Sequence, residues 1–442
     1  MKALALVGLF FVATCAAAEP KAVDLSQLLD DIPDSGTYLK LTPAEEAFDV
    51  RCQEADIDGG PAAAFAYAEH SYLRNPTPHI RAVFAEFLFF GSAFGAPEGR
   101  RSEAIQIAAE ALKQGAVRAY GVLGLELMQG DLVASDPLKA YDYATRGVAG
   151  GDPLSMALMG SIALADGSRD RATQHYIQAA INGFPSGLCG VAELYEKKTF
   201  LGEPNMGKAC NLYFVSARYG CAAGLARLRQ LADSGTPGAI AYVRRLDLIG
   251  AEGTQNRRLL SAARFLEKNC ADDPEALSDL GYFYFPHPRY RFSDAAKART
   301  CLEKGAKLGS LDARALLAVM WAEGMGGPKE PAKALAELRK LGLVGNNANA
   351  LAELGYLSYW GTLEDVGWPK DARMAFNLSL RSATAGSFVG ARNLSECYGD
   401  GVGVEKDYGL AAKYAWRAYI GGAFSFGDGR RLVDDYLAFV KE

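Results

Sequence analysis

His70, His79, His175 and His287 are the only imidazoles in this 442-residue chain, and their spacing excludes the simplest metal chemistry. A helix-borne zinc site needs two histidines four apart with a glutamate between them, and no such pair exists. No cysteine stands within finger spacing of another. Gly399-Asp400-Gly401-Val402-Gly403 has the glycine density of a loop that cradles phosphate. Yet no Lys-Ser or Lys-Thr follows it and no strand pattern leads into it. No serine occupies the sharp strand-to-helix turn of a nucleophile elbow. Asp30-Asp31 and Asp434-Asp435 are neighbours, but adjacent residues leave a helix in different directions, so neither pair is a shared-proton dyad. The expectation is a protein with no catalytic, cofactor-binding or metal-ligating residues, not an enzyme.

What could position side chains for binding is a repeat. Four residues after Asp407 comes Ala411, then Arg417 and Ala418, then Gly422. The same frame starts from Asp371 (Ala375, Arg381, Gly386), Asp294 (Ala298, Lys304, Gly309), Asp136 (Ala140, Arg146, Gly151) and Asn205 (Ala209, Ser216, Gly220). Weaker copies end at Gly115, Gly183 and Gly345. The terminal glycines are separated by 36, 32, 37, 89, 36, 41 and 36 residues, so one interval holds an interruption. A second frame precedes the first: small, apolar, small, aromatic, as in Ala276, Leu280, Gly281, Tyr284 and in Gly390, Leu394, Ser395, Tyr398.

These spacings of three, four and seven make one stripe on each of two helices. The aspartates read as N-caps of the second helix, and the terminal glycines as left-handed C-caps before the next unit. A hairpin of this kind cannot bury its stripe alone and must stack on its neighbours. The fold expected is all-α, an α/α solenoid of about nine to ten hairpins, judged against the ~34-residue period of such repeats.

In the last copy, Tyr398, Gly401, Gly403, Val404, Asp407, Ala411, Tyr414, Arg417, Ala418 and Gly422 resemble the Sel-1-like repeat (SLR) family, cousins of tetratricopeptide repeats. The resemblance runs over residues 79–422 and is strongest after 273. It implies a scaffold or adaptor that binds another protein in a superhelical groove. Two roles fit: an immunity protein neutralising a secreted (type VI) toxic effector, or an assembly factor for exopolysaccharide or envelope machinery. Some cysteine-rich relatives bind or hydrolyse β-lactams and carry a cysteine pair bridging the helices of each unit. Here cysteines do not recur in that way, although Cys189 with Cys210, and Cys270 with Cys301, could each form such a bridge.

Composition and charge agree with a folded binder. Half the residues are hydrophobic and 22% are charged; net charge is −5, without the basic stripe of a nucleic-acid binder. No apolar run after the first twenty residues could span a bilayer. Lys2, the apolar residues 3–13 and Ala16-Ala17-Ala18 read as a signal peptide cleaved between Ala18 and Glu19. The expected location is the periplasm, with secretion or a lipoprotein as alternatives. A lipid anchor at Cys15 is disfavoured, because Thr14 is the wrong size before a lipidated cysteine.

The expected order is a signal peptide (1–18), a segment with a divergent hairpin (19–78), repeats (79–220), an irregular helical insert (221–272), repeats (273–422) and a capping helix (423–442). Two long internal loops are candidate partner contacts: one with Arg289, Tyr290 and Arg291, the other with Glu364, Asp365 and Trp368. The alternative for each is a surface turn whose aromatic packs on its own helices.

Overall fold

The computed structural model describes residues 40–197, 204–249, 256–286, 292–423 and 428–440, and among them there is no strand. The proposed signal peptide, Cys15, Ala18, Glu19 and the loop residues Arg289, Tyr290 and Arg291 lie outside the described residues. The chain divides into two compact units, Met1–Gly224 and Leu225–Glu442.

The first unit is a run of antiparallel hairpins. They are α1 (Pro43–Gly59) with α2 (Pro61–Arg74), α3 (Pro78–Phe90) with α4 (Arg101–Lys113), and α5 (Ala119–Gln129) with α6 (Pro137–Ala149). Then come α7 (Pro153–Ala165) with α8 (Arg169–Ile181) and α9 (Ser186–Glu196) with α10 (Met206–Arg218). The second unit has α12 (Pro237–Ile249) with α13 (Asn256–Asn269), α14 (Pro274–Tyr284) with α15 (Ala295–Lys307), and α16 (Leu311–Glu323) with α17 (Pro331–Leu338). It ends with α18 (Ala348–Trp360) and α19 (Ala372–Thr384), α20 (Phe388–Asp400) and α21 (Tyr408–Ile420), and a final helix α22 (Asp428–Phe439) packed on α21. The first helices α1, α3, α5 and α7 of the first unit touch in succession, and so do α12, α14, α16, α18 and α20 of the second, so each run forms a layer.

The expected irregular insert is more regular than its sequence suggested. One helix, α11 (Ala222–Asp233), starts as the first helix of a hairpin would but has no second helix after it. The chain turns through Gly235 and opens the complete hairpin α12–α13. The 89-residue glycine interval is thus a lone helix plus two hairpins, α12–α13 and α14–α15.

Caps set the boundaries. The side chains of Asp136, Asn205, Asp294, Asp371 and Asp407 accept from the backbone N–H three residues on, at 2.9–3.0 Å. Gly115, Gly151, Gly183, Gly220, Gly309, Gly386 and Gly422 have φ between 75° and 102°, a region that an L side chain enters at a cost. Each closes a Schellman turn: after α15, Gly309 N–H donates to Ala306 O and Ser310 N–H to Gly305 O. Ser310 then caps α16 by accepting from Ala313 N–H, so one residue ends a helix and starts the next. That double duty keeps the turn short and fixes the angle between hairpins.

Gly345 departs from this pattern. Its φ is −84°, and the left-handed residue is Asn346 at 52°, the one non-glycine among the described residues with positive φ. The cause is a π-helical turn at Arg339–Val344, where Gly345 N–H reaches Lys340 O and Asn347 N–H reaches Leu341 O. One residue is added to the helix end, so the left-handed position slips by one.

Packing between hairpins follows a rule. A Cβ on Gly326 would fall on the carbonyl of Ala295, and one on Gly403 on the carbonyl of Ala372. In both cases the loop inside a hairpin seats on the first residue of the preceding second helix. The core is continuous across hairpins: Leu259, Leu266, Leu280, Leu302 and Leu317, from the four successive helices α13 to α16, are at most 3% exposed. Each such leucine contributes about 1.5–3 kcal/mol by leaving water.

Candidate protein-binding surface

The first-helix layer of the second unit carries charge that its own packing does not need. On α18, Glu353, Tyr356 and Trp360 lie at helical spacing on one stripe; on α20, Arg392, Glu396 and Asp400 do the same. Glu323 ends α16 beside them. Among the described residues, the Glu353 carboxylate has no hydrogen-bond or ion-pair partner; it feels Arg392 and Glu323 only through space. Burial, opposed by Arg392 and reinforced by Glu323, pushes its pKa up to about 7. Glu396 is raised by burial against the pull of Arg392, and Glu323 by burial against that of Lys329. Burial also works against the Arg392 charge, but Tyr282, Glu396 and Glu353 outweigh it and raise the pKa.

These groups are half-buried or exposed, yet crowding by protein dominates their titration. That combination belongs to the inside of a concave face, where a water molecule fits but bulk solvation is reduced. Within this unit the curvature has a direct marker: Tyr282 of α14 donates its hydroxyl to Ala423 O, beyond α21, at 3.3 Å. Aromatic surface lies on the same stripe. Trp360 is 59% exposed and tilts against Tyr356 at 6.3 Å between ring centroids.

The corresponding layer of the first unit is closed on itself. Asp49 pairs with His79 at 2.8 Å, and Glu86 with Arg118 at 2.8 Å. Asp152, the cap of α7, holds Ser155 and lies in the field of Arg118. Burial raises Glu86 and Asp152, while Arg118 opposes the rise in both. These charges satisfy one another and offer little to a partner.

Trp368 is not a surface contact. It is buried, and its Nε1–H donates to Ser358 Oγ at 2.6 Å, while Leu363 beside it is fully buried. The loop folds onto its own helices because an indole gains more by leaving water than by facing it. Glu364 and Asp365 stay exposed on a short 3-10 turn. Trp360, two turns earlier, is the exposed indole that the sequence reading missed; as the last residue of an apolar helix it gave no signal of facing outward.

The cysteine pairs also differ from expectation. All seven described cysteines are free thiols. Cys189 Sγ lies 2.9 Å from Cys221 Sγ, not beside Cys210, which is fully buried in α10. Cys270 and Cys301 pack separately against one apolar cluster without bonding. The intended bridge across a hairpin fails because Cys210 faces the core, whereas Cys221 follows the Schellman turn and points back at α9. Among the described residues no group of three or more His, Cys, Asp or Glu could hold a metal ion, and no helix is long and apolar enough to cross a membrane.

The Sel1 repeat family model matches residues 117–152, 274–310, 348–387 and 389–422. Among solved structures, the chain is similar to a protective antigen present in uropathogenic Escherichia coli strains displaying an SLR fold. Identity is 19% over 94% of this chain and 95% of that one, with a TM-score of 0.29. It is also similar to a Sel1 repeat protein from Oxalobacter formigenes, at 17% identity over 92% and 98% of the two chains, with a TM-score of 0.24. No curated protein matches the chain. The four matched copies coincide with hairpin boundaries seen in the structure, and the chain contains four Sel1 repeats.

Proposed function

We propose that this protein is a non-catalytic scaffold that holds a partner protein against the first-helix face of its second unit, and that the part held is a cationic, extended segment. Sel1 repeats suggest protein partners. The observation that carries the finer reading is the Glu353 carboxylate, unpaired among the described residues, on a stripe with exposed Trp360 and flanked by Glu323, Glu396 and Asp400 beside Arg392. Lysine or arginine heads would neutralise the carboxylates, and their stems would lie on the aromatic rings.

Lys2, the apolar residues 3–13 and the three alanines 16–18 support export, and with it a partner met in the periplasm. Thr14 before Cys15 supports an unanchored immunity protein against a secreted effector over a lipid-anchored assembly factor. The test is capture from envelope extracts with wild type, Glu396→Lys and Trp360→Ala, followed by mass spectrometry. A basic protein retained by wild type, released by salt and lost with both variants supports the reading. Capture that is indifferent to both substitutions overturns it.

A further inference from the structure

Cys189 and Cys221 meet where the repeat is interrupted. Cys189 is in the second turn of α9's first-helix position, and Cys221 directly precedes the lone helix α11. Their sulfurs are 2.9 Å apart, and Ser216 Oγ lies 3.2 Å from Cys189 Sγ. Cys221 is the residue after the Gly220 turn, with its N–H donating to Ser216 O at 3.0 Å. It stands where Ser310 and Ser387 stand in later hairpins, as the cap of the following helix. There its sulfur accepts the backbone N–H groups of Ala223 and Gly224. Gly224 also leaves the room the pair needs, since a Cβ there would lie 3.0 Å from Cys189 Sγ.

We propose that Cys189 and Cys221 form a reversible disulfide that ties the fifth hairpin to the first turn of α11. Two sulfurs this close need only a small rotation to reach bonding geometry. The site also favours the reaction. The hydrogen bond with Cys189 and the N–H groups at a helix start lower the Cys221 thiol against the effect of burial, while Cys189 is raised. The oxidant is an external disulfide. Cys221 thiolate attacks one of its sulfurs, the oxidant's S–S bond breaks, and one thiolate leaves. Cys189 then gives up its proton and attacks Cys221 Sγ, forming the internal bond and expelling the second thiolate. The two electrons end on the oxidant's sulfurs, and the two cysteine protons pass to the released thiolates or solvent.

The full-length protein, reduced and then treated with oxidised glutathione, should be alkylated, digested without reductant and mapped by mass spectrometry. The expected product is one species joining the peptides of Cys189 and Cys221, which separates on reduction. Reduction should also lower the melting temperature of wild type and of Cys210→Ser, but not that of Cys221→Ser. Full alkylation of both cysteines after oxidation, or a linkage of Cys189 to Cys210, would overturn the proposal. The mapping on wild type decides the matter even if a variant folds poorly.

Discussion

Tyr282 and Ala423 are 141 residues apart in the chain, yet the Tyr282 hydroxyl donates to the Ala423 carbonyl at 3.3 Å. The bond spans from the second hairpin of the second unit to the end of its fifth. It is therefore a measure of how strongly the first-helix layer curves. Tyr282→Phe keeps the ring and deletes the donor. The expected loss is about 0.5–1.5 kcal/mol, read as a lower urea midpoint with an unchanged slope. Equal midpoints for the two proteins would mean that water replaces Ala423 at no cost.

Glu353 should make stability depend on pH in an unusual direction. Its ordinary pKa of 4.5 applies in the unfolded chain, and the folded value is about 7. Below 4.5 the carboxyl is neutral in both states. Between 4.5 and about 7 the folded state keeps a proton that the unfolded chain has lost, so stability falls as pH rises and levels off above 7. The charged groups acting on Glu353 are Arg392 from α20 and Glu323 from α16. Since the groove side is partly solvated, about 3 kcal/mol is an upper bound. Glu353→Gln should abolish this fall; parallel stability curves for wild type and variant from pH 4 to 8 would refute it. A cationic partner favours the ionised form, so its affinity should rise over the same window.

Much of this architecture is legible in the residues, because caps and turns are local. Asp294, Asp371 and Asp407 can do little but cap when a small-residue stripe follows, and a glycine fifteen residues on can close the turn. Gly345 shows where the reading fails. The residue types of Arg339–Val344 carry no marker of a π turn, so the one-residue slip to Asn346 left no mark. The binding face was less legible still. Glu353 and Arg392 look like ordinary surface charges until three-dimensional packing puts them across one concavity, and Cys189 meets Cys221 only through a turn between hairpins.

Gly309 and Asn346 make a matched test of that slip. At Gly309 the φ of 102° is forbidding to L residues, although a Cβ would meet nothing within 4 Å. Gly309→Ala should therefore cost about 1–2 kcal/mol from backbone strain alone. Asn346 at 52° sits in the helical left-handed region that asparagine tolerates. Asn346→Gly should be neutral or stabilising by a few tenths of a kcal/mol. A Gly309→Ala protein that melts with wild type would count against the register.

Arg118 holds the first unit's charges in balance. Its guanidinium bonds Glu86 at 2.8 Å and lies in the field of Asp152, both inside the packing. Arg118→Met removes the cation and leaves two carboxylates together. The expected cost at pH 8 is about 3–5 kcal/mol. Lowering the pH protonates the orphaned carboxylates, so the deficit should shrink toward pH 5. A deficit independent of pH would assign the loss to packing instead.

Trp360 and Trp368 are eight residues apart and should behave oppositely. Trp368 is 8% exposed and hydrogen-bonded to Ser358, which itself donates to Leu354 O. Trp368→Ala should destabilise the second unit by about 3–5 kcal/mol through cavity formation. Trp368→Phe should cost less, since Ser358 keeps its backbone acceptor. Trp360, at 59% exposure, supports no core, so Trp360→Ala should change stability by no more than about 0.5 kcal/mol. Its loss should appear in partner binding, as aromatic anchors often carry a large share of interface energy. Chemical denaturation of both variants, beside capture of the wild-type partner, separates the two roles. If Trp360→Ala unfolds early, or Trp368→Ala binds weakly while fully stable, then the loop faces the partner and the helix end faces the core, the reverse of the assignment made from their burial.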